Sequence, residues 1–233
     1  MREEKMGPLT VRITGGTDGK GGGDGPVFVL LHGYGAPGDD LVPLGRMDAP
    51  WGTRFVFPEA PLSLGDPAGF GGGRAWWKID IARLEALLER GEARDMSTET
   101  PVGLESARDK VVAMLDTVEA TLKPSKLIVG GFSQGAMLAC DVALRSARKI
   151  DGLVLLSTTL LSEGEWRRAM PARKGMRVFM SHGGDDPLLP MSVAERLRDL
   201  LGSAGLHVTW MPFRGVHEIP PMVLEKLGEF LAG

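Results

Sequence analysis

Short apolar runs that alternate with helical patterns constrain the fold of this chain more than any other feature of its sequence. Several of the runs, residues 27–31 and 153–156 among them, are apolar at every position, as is typical of strands buried on both faces of a sheet. The alternation predicts an α/β fold in which helices cover both faces of a mostly parallel sheet. The predicted strands are residues 9–14, 27–31, 54–57, 126–129, 153–156, 178–181 and 208–211.

The segments between these strands place apolar residues three or four positions apart, which is the spacing of one helix face. The predicted helices are residues 107–122, 135–144, 192–201 and 223–231. A further amphipathic segment, residues 79–94, has Leu84, Leu87 and Leu88 on one face and is predicted as a cap-like helix. No repeat or linker divides the chain, so residues 1–233 are predicted to form a single domain.

The composition excludes several classes of function. A net charge of -3 without blocks of like charge gives no electrostatic support for nucleic-acid binding. The single cysteine, Cys140, rules out an intrachain disulfide. The amino terminus lacks the apolar core of a signal peptide, and the apolar runs are too short to span a bilayer. We therefore expect a cytoplasmic protein without an integral membrane segment, and we leave its oligomeric state open, with a dimer as one option.

A glycine-rich segment, residues 15–25, lies between the first two predicted strands and has seven glycines in eleven positions. Its spacing does not match a phosphate-binding loop, since Lys20 is followed by Gly21 where that motif requires serine or threonine. The segment is better interpreted as a flexible hairpin connection.

The pattern G-x-S-x-G occurs once, as Gly131-Phe132-Ser133-Gln134-Gly135. It follows a predicted strand and precedes a predicted buried helix, which is the context that holds a nucleophilic serine out of a sheet at the positive end of a helix. The alternative is a serine that only caps the helix. The context favours Ser133 as a nucleophile.

A serine needs a base to act as a nucleophile. Of the four histidines, only His217 lies in the loop after the last predicted strand, where hydrolases with this motif carry the base. A surface-loop histidine is the alternative interpretation. The acid that orients the base is expected between Ser133 and His217, and both Asp185 and Asp186 follow the strand at 178–181. Either aspartate is also a typical turn residue, and spacing alone does not separate them.

An anionic tetrahedral intermediate requires two hydrogen-bond donors. The N–H of Gln134, directly after the nucleophile, is the first candidate, and the segment His32-Gly33-Tyr34-Gly35 offers the N–H of Tyr34 as the second, unless it is an ordinary glycine turn. The histidines and the cysteine lack metal-ligand spacing, so we predict neither a metal nor a cofactor.

These motifs together resemble the phospholipase/carboxylesterase family, which includes acyl-protein thioesterases and bacterial carboxylesterases. The resemblance extends from about residue 27 to residue 230 and implies an α/β-hydrolase fold, Asp186 as the acid, and Tyr34 and Gln134 as oxyanion donors. Its anchors are Leu31-His32-Gly33-Tyr34-Gly35, Pro58-Glu59-Ala60-Pro61, Gly130-Gly131-Phe132-Ser133-Gln134-Gly135-Ala136, His182-Gly183-Gly184-Asp185-Asp186-Pro187 and Gly215-Val216-His217-Glu218-Ile219.

Two departures from the family pattern concern the substrate side. Trp76-Trp77-Lys78 stands where the family usually has Trp-Phe-Asp, and Ser157-Thr158 replaces the usual Ser-Gly. Both changes lie in the expected binding wall for the acyl group, and neither alters the candidate serine, acid or base. The candidate substrate contacts are His32, Phe70, Trp76, Trp77 and Leu188, although aromatic residues in a loop are as often local packing.

The sequence therefore predicts a serine carboxylesterase that hydrolyses esters of small or medium acyl chains through an acyl-enzyme, with a small-molecule ester or thioester as its substrate. An acyl thioesterase or a lysophospholipase of the same fold is the first alternative. The second is a non-catalytic binding protein on a hydrolase scaffold, which we expect to have lost part of the catalytic set.

Overall fold

The computed structural model describes residues 1–65, 72–90 and 95–233. Its main feature is a nine-stranded sheet, accompanied by a short two-stranded sheet formed by β6 and β7. Each predicted strand is present, and most are the same or longer by one or two residues at an end. The strand predicted at 126–129 begins one residue later and ends three residues later, at Phe132. The strands are β1 Arg2–Met6, β2 Leu9–Gly16, β3 Lys20–Gly22, β4 Val27–Leu31, β5 Arg54–Pro58, β6 Leu62–Ser63, β7 Arg74–Ala75, β8 Leu127–Phe132, β9 Gly152–Leu156, β10 Arg177–Gly183 and β11 His207–Phe213.

The sheet is mostly parallel, in the order β1-β2-β5-β4-β8-β9-β10-β11, with β3 paired to the end of β2. The strands from β5 to β11 in this order run parallel to one another, whereas β1 and β2 are antiparallel. The central strands β4, β5 and β9 are buried at every residue, which explains the continuous apolar sequences of β4 and β9 and the apolar run that follows Arg54 in β5. This confirms the predicted α/β class.

Helices cover both faces of the sheet, as predicted. The strand β4 shows why, because Val27, Val29 and Leu31 pack into one apolar core while Phe28 and Leu30 pack into the other. The first core is closed by α2, α3 and α5, and the second by α6. No described helix is both long and apolar enough to cross a membrane. The helices are α1 Ile81–Glu89, α2 Leu104–Leu122, α3 Gln134–Arg145, α4 Glu163–Ala169, α5 Met191–Ser203 and α6 Pro221–Ala232.

The sequence did not predict β1, β3, α4 or the short strands β6 and β7. The glycine-rich segment at 15–25 is not simply a flexible connection, because it contains β3 and a turn in which Asp18 Oδ1 accepts the N–H groups of Lys20 and Gly22, each at 2.8 Å. The predicted helix at 79–94 begins at Ile81 and extends to Glu89. Its last four residues, 91–94, and the side chains of its three leucines lie outside the described part of the molecule.

The parallel strands end at one edge of the sheet, and the predicted site residues follow these ends. His32 and Tyr34 come after β4, Ser133 after β8, Asp186 after β10 and His217 after β11. Ligand and catalytic groups of open α/β sheets lie at this carboxyl edge. The fold therefore gathers segments that are far apart in the sequence.

Candidate active site

A sharp turn between β8 and α3 carries Ser133. Its backbone has φ 55° and ψ −119°, a conformation that residues other than glycine rarely adopt. Both flanking glycines are required by close contacts: a Cβ atom on Gly131 would lie 2.3 Å from the carbonyl carbon of Gly135, and one on Gly135 would lie 2.1 Å from the oxygen of Leu31. The N–H of Ser133 donates to Leu156 O at 2.9 Å and so fixes the turn to β9. Such local strain is typical of functional sites.

The Ser133 hydroxyl does not cap the helix that follows it. Its side chain makes no capping hydrogen bond to described residues, whereas its carbonyl oxygen accepts the N–H groups of Ala136 and Met137 at 3.0 and 3.1 Å. The side chain instead lines a cavity at the edge of the sheet. The geometry therefore argues against the capping interpretation of this serine.

Asp186 and His217 form a hydrogen-bonded pair. His217 Nδ1 lies 2.6 Å from Asp186 Oδ2, and Asp186 Oδ1 accepts the N–H groups of Leu188 and Leu189 at 2.9 and 3.0 Å. Burial raises the pKa of Asp186, but the hydrogen bond and charge of His217, with the two N–H groups, outweigh burial and hold this pKa below its usual value. Asp186 is thus a carboxylate that keeps the proton on Nδ1 and leaves Nε2 as the basic atom.

The structure distinguishes the two neighbouring aspartates. The Asp186 side chain is fully buried against His217, whereas Asp185 is exposed and, towards the described residues, uses only its N–H, which donates to Gly215 O at 2.9 Å. The two loops touch closely at Gly183, where a Cβ atom would lie 2.2 Å from Val216 O. Because this contact fixes one loop against the other, the Asp186–His217 distance depends on a glycine.

His182 is a further member of this cluster, which the sequence analysis placed in a family motif but not among the candidate site residues. It is completely buried, its Nε2 donates to Leu189 O at 2.9 Å, and it lies 3.6 Å from Asp186 Oδ2. Burial lowers the pKa of His182, so its ring is neutral and adds no charge beside the carboxylate. Its position four residues before Asp186 was the available signal.

Ser133 and His217 open onto the same cavity, which has a volume of about 190 Å³. Larger and more open depressions exist elsewhere, such as one of about 670 Å³ beside Arg177 and Arg198, but none of the predicted site residues lines it. The small cavity is mainly apolar. Its lining consists of Gly33, Tyr34, Trp77, Ile79, Ile81, Met96, Phe132, Ser133, Gln134, Met137, Leu188, Leu189 and His217.

Only some of the predicted substrate contacts line the cavity. Trp77 and Leu188 line the cavity, and Phe70 lies outside the described residues. His32 and Trp76 are buried and do not line it: His32 Nδ1 donates to Gly33 O at 2.8 Å, His32 Nε2 accepts the N–H of Ala60 at 3.0 Å, and Trp76 Nε1 donates to His32 O at 2.9 Å. These bonds place both rings behind the wall, so the geometry gives them a supporting position rather than the predicted substrate contact.

Gln134 has two separate roles in the geometry. Its side chain accepts the N–H of Trp76 at 2.9 Å and donates to Trp77 O at 2.8 Å, which fastens the tryptophan segment to the serine turn. The main-chain N–H groups of Gln134 and Tyr34 donate to no other described residue, and both residues line the cavity. Two N–H donors are therefore available beside Ser133.

Sequence reasoning missed several lining residues. The Phe132 ring packs on His217 with centroids 4.8 Å apart, and its place next to Ser133 in the motif was a usable signal. Met137 lies one helical turn after Ser133 and also could have been anticipated. Met96 carries no local signal, because its loop reaches the cavity only through the tertiary fold.

Comparison with known proteins points to one family. A sequence model of the family described as phospholipase/carboxylesterase matches residues 20–233. Acyl-protein thioesterase 1 of Emericella nidulans is 26% identical over 216 residues, which cover 87% of each chain. The protein of the same name from Kluyveromyces lactis is 30% identical over 173 residues, or 71% of each chain.

Solved structures point to the same family. The crystal structure of esterase PE8 superposes with a TM-score of 0.78 at 26% identity and covers 96% of this chain and 97% of its own. Zea mays acyl-protein thioesterase 2, at 20% identity and a TM-score of 0.69 over 95% of this chain and 96% of its own, supports the fold alone. The chain therefore belongs to the phospholipase/carboxylesterase family and is a serine hydrolase with the α/β-hydrolase fold.

Proposed function

We propose that the protein is a carboxylesterase for small or medium acyl chains, with Ser133 as nucleophile, His217 as general base and Asp186 as the group that orients the base. One observation carries this proposal: Ser133 and His217 line a single apolar cavity, and a buried carboxylate holds His217 at 2.6 Å. The serine, the base and its orienting acid occur in the chain order that this fold uses.

The reaction proceeds by acyl transfer to water. His217 Nε2 removes the proton of Ser133 as the hydroxyl oxygen attacks the ester carbonyl, and Asp186 stabilises the imidazolium that results. The N–H groups of Tyr34 and Gln134 hold the oxyanion, each contributing about 3–4 kcal/mol. His217 then protonates the leaving alcohol. Water attacks the acyl-enzyme in the same way and releases the acid.

The cavity supports a short acyl chain. Its volume of about 190 Å³ lies below the roughly 300–1,000 Å³ that is usual for drug-sized ligands. The lining side chains around Ser133 include Trp77, Met96 and Met137, which offer contact to methylene groups and no charge. An acyl group of a few carbons therefore fits best.

A thioesterase is the second candidate, because the curated relatives from Emericella nidulans and Kluyveromyces lactis are named acyl-protein thioesterases. Esters and thioesters pass through the same acyl-enzyme, so the catalytic residues do not discriminate between them. A lysophospholipase is the remaining alternative, for which the family description gives the only support. The leaving group, rather than the catalytic residues, separates these activities.

We further propose that residues 1–233 form one domain and that the segment at 79–94 is a cap-like element over the cavity. Ile79 and Ile81 support the second part, since both line the cavity and Ile81 is 38% exposed at its rim. Cytoplasmic localisation and the absence of a nucleic-acid partner stay predictions from composition.

The test is hydrolysis of p-nitrophenyl esters from acetate to long acyl chains, together with the matching acyl-coenzyme A thioesters. Ser133→Ala is compared with Ser106→Ala, an exposed serine on α2 away from the cavity. Loss of Ser133 is expected to lower kcat on the order of a million-fold, because serine and base act as a unit. The Ser106 variant is expected to match the wild type.

Each outcome is informative. A chain-length optimum at a few carbons on esters supports the carboxylesterase, and higher kcat/KM on thioesters supports the alternative. Full activity in Ser133→Ala means that Ser133 is not the nucleophile. A wild-type protein that hydrolyses neither series and does not react with a fluorophosphonate supports the non-catalytic binding protein, because an unactivated serine is not labelled.

A further inference from the structure

A bridge of three charged side chains lies beside the Tyr34 loop, residues 32–38, which follows β4. Glu59 stands at its centre, immediately after β5: Oε1 accepts a hydrogen bond from Arg74 Nη2, and Oε2 accepts two from Arg12 at 3.4 Å each. The three side chains are only 16–27% exposed. We call Arg12, Glu59 and Arg74 the Glu59 bridge. None of its members lines the cavity.

The bridge is attached to the Tyr34 loop by both of its arginines. The main chain of Arg74 accepts the N–H of Gly35 at 2.8 Å and donates to Ala36 O at 2.9 Å. Arg12 Nη1 donates to Gly38 O at 3.1 Å. The loop therefore has three hydrogen bonds to the bridge within four residues of Tyr34.

Glu59 also supports the loop by direct packing. Gly38 has φ 95°, and a Cβ atom there would lie 2.8 Å from Glu59 Cγ, so the main chain of the loop rests on the stem of the glutamate. Glu59 itself is anchored, because its N–H donates to Thr10 O on β2 at 2.9 Å. The next residue, Ala60, donates to His32 Nε2 and so holds the beginning of the same loop. Two adjacent residues thus fix both ends of the loop to the sheet.

We propose that Glu59 is a positioning residue that fixes the N–H of Tyr34 in the oxyanion hole, acting through Arg74 and Arg12. This rests on the proposed function, in which Tyr34 is one of the two donors. An oxyanion exists only in the tetrahedral transition state and intermediate, so a loosened donor weakens transition-state binding and leaves ground-state binding intact. Loss of the bridge is therefore expected to lower kcat and to leave KM nearly unchanged.

The test is Glu59→Gln, which keeps the packing against Gly38 and removes the charge and one of the two acceptor oxygens. Glu163→Gln is the matched control, because Glu163 is also a carboxylate bridging two arginines, Arg167 and Arg196, and none of the three lines the cavity. We expect kcat of Glu59→Gln to fall about 10- to 100-fold, less than the roughly 100- to 1,000-fold that follows removal of an oxyanion donor. The control is expected to keep wild-type kcat.

A second readout separates positioning from general structural support. An alkyl trifluoromethyl ketone forms a tetrahedral adduct with the serine, and its oxyanion occupies the hole. Its Ki is expected to rise in Glu59→Gln by the same factor by which kcat falls, while KM and the melting temperature stay close to those of Glu163→Gln. If Glu59→Gln does not fold, Arg74→Met removes one arm of the bridge and is expected to give the same pattern.

The inference is overturned if kcat and Ki of Glu59→Gln equal those of the control, or if KM rises while kcat is unchanged. Ser133→Ala, assayed in parallel, keeps the two proposals apart. An inactive Ser133→Ala beside a fully active Glu59→Gln overturns the role of Glu59 alone. An active Ser133→Ala overturns the proposed function and the role of Glu59 with it.

Discussion

The cavity has two walls that are built in different ways. The elbow wall, formed by residues 132–134, 137, 188–189 and 217, consists of chain segments that leave the ends of parallel strands and contact one another through their main chains. The outer wall, formed by Trp77, Ile79, Ile81 and Met96, lies outside the large sheet. Besides the main-chain bonds of Arg74 to Gly35 and Ala36, it is held by side chains, namely the Gln134 amide, the Trp76 indole bond to His32 O and the Glu59 bridge.

The difference separates catalysis from selection. Main-chain contacts such as Ser133 N–H to Leu156 O depend on strand register and on a few glycines, and they tolerate changes in most side chains. A hydrogen bond made by a side chain, in contrast, is lost when that one residue is replaced. The main chain of the elbow wall holds Ser133 and His217, and with them Asp186, in place. We therefore expect substitution of these three residues to abolish turnover, and substitution of the other side chains in either wall to alter which acyl chain is accepted.

After the loss of Ser133 itself, the largest expected effect is that of Asp186→Asn. An amide at this position donates to His217 Nδ1 and forces the proton to Nε2, which removes the base, so kcat should fall about 10,000-fold with the fold intact. Asp185→Asn is the matched control, because that neighbouring side chain is exposed. Steady-state kinetics on a p-nitrophenyl ester measure both. Equal losses in the two variants would contradict the assignment of the acid.

The next prediction compares the truncation of a methionine in each of the two walls. Met137 on α3 and Met96 in the outer wall are 4% and 6% exposed and line the same cavity. Truncation of a buried methionine to alanine costs about 2–5 kcal/mol, depending on how far the surroundings collapse. We expect Met137→Ala near the upper end, because α3 is fixed on the sheet, and Met96→Ala near the lower end.

Urea unfolding gives these free energies, and the ester series gives the acyl preference. Met137→Ala should admit chains longer by a few carbons, since a rigid wall leaves the vacated space open. Met96→Ala should give a smaller increase in accepted chain length, because the outer wall is expected to move inward and fill part of the vacated space. Identical stability losses and identical preferences in the two variants would show that the walls are equally rigid.

The smallest expected effect is that of Gln134→Met, which removes both side-chain hydrogen bonds to the tryptophan segment. The N–H of Trp76 and the carbonyl of Trp77 then lose their partner, at a cost of about 1–3 kcal/mol. The main-chain N–H of Gln134 stays, so kcat on acetate should change little while the preference among longer chains shifts. A collapse of kcat on acetate would mean that the outer wall also positions the reacting groups.

The sequence predicted the elbow wall better than the outer wall, and the cause is physical. Ser133 and His217 follow from local motifs at strand ends, which hydrophobic runs make visible. The choice between Asp185 and Asp186 needed the tertiary contact of Asp186 with His217, since both aspartates suit the same turn. Without the family pattern, their spacing left both open.

The outer wall depends on contacts between distant segments. His32 and Trp76 looked like substrate contacts because of their residue types, yet their polar atoms are used within the protein. Met96 reaches the cavity from a loop without a pattern. The strand β1 was missed for a different reason, since its charged residues at positions 2–5 do not look like a sheet strand.

Those charges have a consequence for the behaviour of the protein at high concentration. A free strand edge is a template on which another chain can add a strand, and charged side chains are one of the means by which proteins prevent this. The strand β1 covers the edge of β2 and presents Arg2 paired with Glu4 at 3.3 Å, and Glu3 paired with Arg12 at 3.2 Å. The first residues of the chain, which contribute nothing to the cavity, thus shield this end of the sheet from intermolecular strand pairing and aggregation.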